Sequence, residues 1–224
     1  MSFWIDTYFG DRNSPTIDYI VIFHDFAIRI LFAILIFLSL MLFSGFKLKI
    51  LDLNLIEDQK LEIVWTILPI ILLVFIAFPR LRLLYLIEEI FFPDINIKVI
   101  GYQWYWSYDY RDFELDFESF LEESLELDSE FRLLEVNDFF FIPVNCIVRF
   151  LVRSADVIHS WTLPVFGVKT DAIPGRLNQV NLFSYRPGIF FGQCSEICGI
   201  NHSFIPIAVG VMEIEDFLDE VDYY

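Results

Sequence analysis

The sequence predicts a two-helix hairpin that spans a membrane, followed by an antiparallel β-sandwich that faces water. Three observations carry this reading. Two runs of 17 residues lack any charge, Ile30–Phe46 and Ile63–Pro79. Charge is divided unevenly: residues 1–90 hold 10 acids and 7 bases, whereas residues 91–224 hold 22 acids and 8 bases. After Pro93 the apolar pattern changes to a period of two. The chain therefore divides into an anchor with its N-terminal segment, 1–90, and a water-facing domain, 91–224. Across all 224 residues, 56% are hydrophobic and the net charge is −17. So much apolar side chain excludes intrinsic disorder. So little base excludes a nucleic-acid binder, which needs a cationic face.

In the anchor, a spanning helix needs about 20 apolar residues, with a lower limit near 17. Arg29 can snorkel to lengthen the first run, and Arg80 and Arg82 the second. Two buried helices of a soluble protein would explain the runs less well, because they stand in tandem before an acidic domain. Asp58 is placed to cap the second helix. Pro69 removes a backbone donor in mid-span and should kink it. Lys47, Lys49 and Lys60 favour the connecting loop on the inner side; protease protection of that loop in intact membranes checks the orientation. The first 19 residues hold one base, Arg12, and three acids, so no cleavable signal is expected.

In the second part, Ile100, Tyr102, Trp104, Trp106, Tyr108 and Tyr110 alternate with smaller or polar residues and read as one strand. The segments 131–136, 137–142, 146–153, 179–183, 189–194 and 206–214 read similarly. Asn137-Asp138, Pro174-Gly175 and Pro187-Gly188 mark turns. About seven short strands in this length suggest a sandwich. Between Asp112 and Glu130 stand nine acids and no base. This is either a solvated loop or a docking patch for a basic protein. Trp104 is either core packing or a contact point at the foot of that loop.

The chain has only three Cys and three His. His159 lies in DVIHSW, and Cys194, Cys198 and His202 lie in GQCSEICGINHSF, spaced by four. Thiolates with imidazoles select zinc, copper or iron–sulfur. Cys₂His₂ suits structural zinc by number, although zinc knuckles usually pair their cysteines as CxxC. A Cys194–Cys198 disulfide would close a very short loop. Two thiolates can also bridge two copper ions, each capped by one His. Cys146 reads as a small buried hydrophobe, and His24 has no ligand partner in sequence.

At these residues the chain resembles the subunit 2 family of mitochondrial-type cytochrome c oxidases. The shared motifs are IGYQWYWSYDY (100–110), RLLEV (132–136), DVIHSW (156–161), GVKTDAIPGRLNQ (167–179) and GQCSEICGINHSF (192–204). FHD (23–25), IVWTILP (63–69) and RLLYLIEEI (82–90) match in the anchor. The resemblance covers nearly the whole chain, and the Cys–His loop is its most specific part. It implies a cupredoxin-like Greek-key sandwich in which His159, Cys194, Cys198 and His202 ligate a binuclear copper (CuA) centre. Glu196 would offer its carbonyl to copper and its carboxylate to a magnesium ion at the interface with subunit 1. Asp171 would lie in the network near that magnesium. Trp104 would receive electrons from cytochrome c, and Asp109, Asp112, Glu114, Glu130 and Asp156 would help dock it. Glu62 would stand near the mouth of a proton path, unless it merely complements the positive start of its helix.

The implied function is electron transfer from cytochrome c to haem in subunit 1, with the oxygen site on that partner. The implied place is the mitochondrial inner membrane, with two spans and the copper domain in the intermembrane space. Two rivals are a membrane-anchored copper-delivery protein and an anchored zinc-stabilised domain. The sequence departs from the family at Ile205, where relatives carry an axial Met. Ile offers no lone pair, so a centre there should be more oxidising. The alternative is an ATA codon that the organism reads as Met, which peptide mass spectrometry across residue 205 decides. Tyr102, where relatives often have His, is a smaller departure.

Overall fold

A computed structural model describes residues 10–48, 56–89, 92–122 and 131–223. The chain divides into two compact units. One is Tyr19–Glu88; the other takes the chain from Glu89 onward together with the segment up to Asp18.

The helical unit is built from α1, Pro15–Leu48, of 34 residues, and α2, Gln59–Glu88, of 30 residues. Each is longer than its uncharged run, about 50 and 45 Å at 1.5 Å per residue, against about 30 Å of membrane hydrocarbon. Pro15 fits the first helical position, where its missing N–H costs nothing. Asp58 caps α2, accepting from the amides of Lys60 at 3.0 Å and Leu61 at 3.2 Å. The helix continues through Pro69 and Pro79. Mean hydropathy reaches 2.7 and 2.6 in the two helices, and none of those apolar windows is buried within the chain. Their side chains face outward, as lipid-facing helices require.

The β unit contains ten strands among the described residues. The strands β3 (Leu115–Ser119), β2 (Tyr105–Tyr110), β1 (Ile95–Tyr102), β5 (Ile147–Ser154) and β8 (Asn178–Phe183) form one sheet in that order. A second sheet runs β4 (Phe140–Pro143), β10 (Pro206–Met212), β9 (Gly188–Gln193), and β6 (His159–Leu163) pairs with β7 (Val168–Ala172). The sandwich is not wholly antiparallel: β1 runs parallel to β5, and β10 to β4. Connections that cross between sheets return the chain in its earlier direction.

The single strand expected over 100–110 is a hairpin. Gln103 and Trp104 form its turn, and Tyr102 faces Tyr105. Opposed residues share a face but have opposite parity, so odd positions point inward on β1 and even ones on β2. The alternation runs through the turn without marking it. Segment 131–136 is a turn ending in a single bridge residue, Val136, rather than a strand. Part of the acidic stretch is a strand, because β3 pairs with β2 through Asp116 and Glu118. The helix α3, Ile214–Tyr223, was not anticipated.

Trp106, Tyr108, Tyr110, Phe140, Phe150, Trp161 and Phe166 are fully buried and fill the sandwich. Each such aromatic removes a large apolar area from water. The Tyr110 hydroxyl donates to the Phe141 carbonyl at 2.7 Å and accepts from the Phe141 amide at 2.9 Å. Phe217 of α3 seals one end against Phe113 and Phe141. The segment before α1 belongs to this unit: Asn13 Nδ2 donates to Ser184 Oγ at 2.8 Å and to the Arg186 carbonyl at 3.0 Å.

Candidate metal centre

The four Cys and His side chains singled out in the sequence come from two places. His159 begins β6; Cys194 follows β9, Cys198 lies in the loop beyond, and His202 opens a short 3₁₀ turn before β10. Backbone hydrogen bonds seat the loop. Cys194 N donates to the Ile205 carbonyl and Ser195 N to the Ser160 carbonyl, both at 3.0 Å. Two glycines are needed here. A Cβ at Gly192 would stand 1.9 Å from the Thr162 carbonyl oxygen, so only glycine lets β9 lie against β6. Gly199 has φ +125°, and a Cβ there would meet Gln103 and the Trp104 ring.

The donor atoms form a chain. His159 Nδ1 lies 3.9 Å from Cys194 Sγ, which lies 4.0 Å from Cys198 Sγ, which lies 3.5 Å from His202 Nδ1. Both cysteines are free thiols. Two thiolates on one tetrahedral ion stand about 3.8 Å apart, and a thiolate and an imidazole nitrogen about 3.5 Å, given bonds of about 2.3 and 2.0 Å. Each neighbouring pair therefore fits a shared soft metal. His159, Cys194 and Cys198 close to within 4.8 Å of one another, and His202 stands outside that group. A single tetrahedral ion would need all four donors mutually close. The four donors instead run as a nitrogen–sulfur–sulfur–nitrogen chain.

The two ends differ electrostatically. Burial alone would raise the Cys194 thiol, but hydrogen bonds from His159 and from the loop backbone overcome it, bringing the group down to about 7. Burial raises Cys198, and the neighbouring Cys194 charge raises it further, to about 12. Burial pushes the His159 imidazole down, but contacts with Cys194 and Asp156 hold it above its ordinary value. Asp156 receives His159 Nε2 at 2.9 Å and the amides of Gln103 and Val157, both at 2.6 Å. These bonds outweigh its partial burial and hold its carboxyl below the usual range. They also leave Nδ1 of His159 facing the sulfur.

The other candidates are placed as follows. Trp104, in the β1–β2 turn, packs against Gly199 of the Cys loop. Beside it Gln103 Nε2 donates to the Cys198 carbonyl at 2.7 Å. Sequence reasoning passed over Gln103; its place next to Trp104 was the available signal. The Glu196 carbonyl lies 3.4 Å from Cys194 Sγ, and its side chain is exposed. Asp171 is exposed on β7, opposite Ser160. Glu62 is in the first turn of α2. Glu114 is exposed, and Asp112 receives the Asn96 amide at 3.3 Å. Asp109 lies 3.5 Å from Lys98 Nζ and 3.3 Å from Arg111 Nε. Glu130 lies outside the described residues. His24 lies on α1, with its Nδ1 3.3 Å from Asp25.

A β-sandwich on an apolar two-helix anchor, with two thiols and two imidazoles gathered at one end, defines a membrane-anchored metalloprotein. Comparison with known proteins narrows this class. Residues 95–212 match the family of the cytochrome c oxidase subunit II periplasmic domain, and residues 2–83 that of its transmembrane domain. Cytochrome c oxidase subunit 2 of Drosophila bifasciata is 48% identical over 220 residues, covering 97% of this chain and 96% of the relative. That of Rhipicephalus sanguineus is 46% identical over 223 residues, covering 99% of both. The crystal structure of the periplasmic domain of subunit II (CoxB) from Bradyrhizobium japonicum aligns with a TM-score of 0.57 at 45% identity, over 60% of this chain and 96% of that one. The chain belongs to the cytochrome c oxidase subunit 2 family. It is thus an electron-transfer subunit of a cytochrome c oxidase, and other oxidase subunits are implied. Because the matches cover anchor and β unit alike, the copper-delivery reading is not favoured. Family and donor set together indicate copper at the Cys–His cluster.

Proposed function

We propose that His159, Cys194, Cys198 and His202 hold a binuclear copper centre that takes electrons from cytochrome c and passes them to haem in subunit 1. The observation that carries this is the donor chain, two thiols 4.0 Å apart with one imidazole beyond each. When bound, such a pair supplies a one-electron carrier with its charge shared over both metals. The protein's part is to keep the donors in register and to connect them to the surface. Trp104 supplies the connection: its ring packs on Gly199, next to Cys198, and is the proposed point where electrons enter. The Glu196 carbonyl is the proposed further copper contact.

Docking is assigned to Asp109, Asp112, Glu114, Glu130 and Asp156, but not equally. Asp109 shares its charge with two cations, and Asp156 is engaged by His159 and two amides, so their main contribution is structural. Glu114 is free to present its charge. The exposed Glu196 carboxylate and Asp171 are the proposed protein contribution to a magnesium site shared with subunit 1. Glu62 is the proposed entrance of a proton path. The proposed location is the mitochondrial inner membrane, with the β unit in the intermembrane space.

Electron paramagnetic resonance on the copper-loaded complex tests the centre. Hyperfine coupling to two equivalent copper nuclei is expected. A signal confined to one nucleus, or zinc with no signal, overturns the binuclear assignment. Turnover with cytochrome c should fall steeply as salt screens the encounter. A flat response removes the docking proposal and leaves the copper proposal standing.

A further inference from the structure

Half of the bases in residues 91–224 line one cavity. Lys98, Arg111, Arg153 and Arg176 surround a space of about 540 Å³, within the range of small-molecule sites. The strand register gathers them. Lys98 on β1 lies opposite Asp109 on β2, and Ile100 on β1 lies opposite Arg153 on β5. Burial alternates along β1 and β5, so Lys98 and Arg153 project from the outer face of the sheet. A bridge from Ser154 to Pro174 brings Gly175, Arg176 and Leu177 over the same place.

The charge balance there is unusual for this domain. Asp109 serves both Lys98 and Arg111. Neither Arg153 nor Arg176 makes a side-chain ion pair or hydrogen bond among the described residues. Of the four cations, two thus share one carboxylate and two have none, in a domain of 22 acids and 8 bases where acidic partners are plentiful. Like charges held together without counter-ions repel one another, and a multiply charged anion removes that cost. Guanidinium groups match phosphate oxygens in pairs. Leu151, Ala155, Pro174 and Leu177 complete the lining with apolar surface, which a bare inorganic ion would leave unused.

We propose that this cavity binds a small organic phosphate, with Arg153 and Arg176 on the phosphate and Leu151 and Leu177 against the apolar part. The proposal does not depend on the metal assignment, since none of these residues belongs to the Cys–His cluster.

Equilibrium dialysis of the purified oxidase complex against labelled ATP and labelled pyrophosphate, at low fixed salt, tests it. Saturable binding of both is expected, with ATP the tighter. The Arg153→Gln/Arg176→Gln double variant should lose at least about tenfold in affinity for both. Leu177→Ala should weaken ATP a few-fold and leave pyrophosphate unchanged. Arg176→Gln alone, on an exposed loop, should still lose several-fold, which keeps the test open if the double variant fails to assemble. Unchanged metal spectra and melting temperature in these variants exclude a general folding defect. Equal affinity in wild type and the arginine variants overturns the proposal, as does displacement of ATP by equimolar chloride. Pyrophosphate binding as tightly as ATP overturns the organic part.

Discussion

The two ends of the donor chain are built differently. At the inner end, His159 is fully buried, begins a strand, meets Trp106 edge-on and gives its second nitrogen to Asp156. Cys194 beside it is fixed by backbone bonds and brought down to about 7. At the outer end, Cys198 is raised to about 12, and His202 is half-buried, with its Nδ1 3.5 Å from the Cys198 sulfur. The sandwich builds the inner end, and loop contacts build the outer one. The centre is therefore half preformed by the fold.

The largest effect that tests this contrast concerns the metal-free protein. His159→Ala leaves a hole beside Trp106 and strips Asp156 of a partner, so stability should fall by about 2–4 kcal/mol. His202→Ala should stay within about 0.5 kcal/mol. Denaturant unfolding after metal removal measures both, and equal losses would break the comparison. Either variant should abolish the binuclear spectrum. Next in size is Asp156→Asn, which keeps the side-chain shape but weakens the bond that orients His159. Metal affinity should fall by about 10- to 100-fold, as for other carboxylates behind a ligating histidine. Competition with a chelator reads this directly; an unchanged affinity would mean that burial alone orients His159.

Which parts were legible in the sequence follows from the same contrast. The helices were clear because lipid asks only for a long uncharged run. The Cys and His set was clear because those residue types are scarce in the chain and carry chemistry. The 103–104 turn was hidden because the side chains flanking it keep alternating, so nothing in residue type marked the reversal. Strands β6 and β7 were missed because their positions mix polar residues with a candidate ligand and a solvent-facing acid. Asp156 was grouped with docking acids by its charge. Only coordinates reveal that two amides and an imidazole claim its oxygens.

The uneven pKa values give the metal affinity a signed pH dependence. Both thiols bind metal as thiolates. Cys198, raised to about 12, is protonated throughout the physiological range and must release a proton on binding. Cys194, near 7, is already ionised above that pH and must release one only below it. Apparent affinity should therefore rise with pH throughout, and more steeply below about pH 7, where Cys194 and the His159 imidazole must also give up protons. A chelator titration from pH 6 to 8 checks this, within about one unit for the break. A constant slope would mean that the ends are electrostatically alike.

The smallest effect concerns Ile205, which joins the outer loop to β10. It is 1% exposed and its carbonyl accepts from Cys194 N, so it shapes the inner end while its side chain offers no donor. Met212 does not replace a thioether there, since it lies on β10 with its methyl against Gly210, opposite Pro143. Ile205→Met is nearly volume-conserving and should fold without strain. A weak axial bond favours the oxidised metal slightly, so the potential should fall, by less than the roughly 59 mV of a tenfold one-electron preference. Copper content should not change. A larger fall would mean that the loop, rather than the sandwich, sets the metal's environment, and no fall would place residue 205 out of reach of the centre. Should mass spectrometry find Met at this position in the natural protein, the same experiment runs in reverse, and Met→Ile should raise the potential by the same small amount.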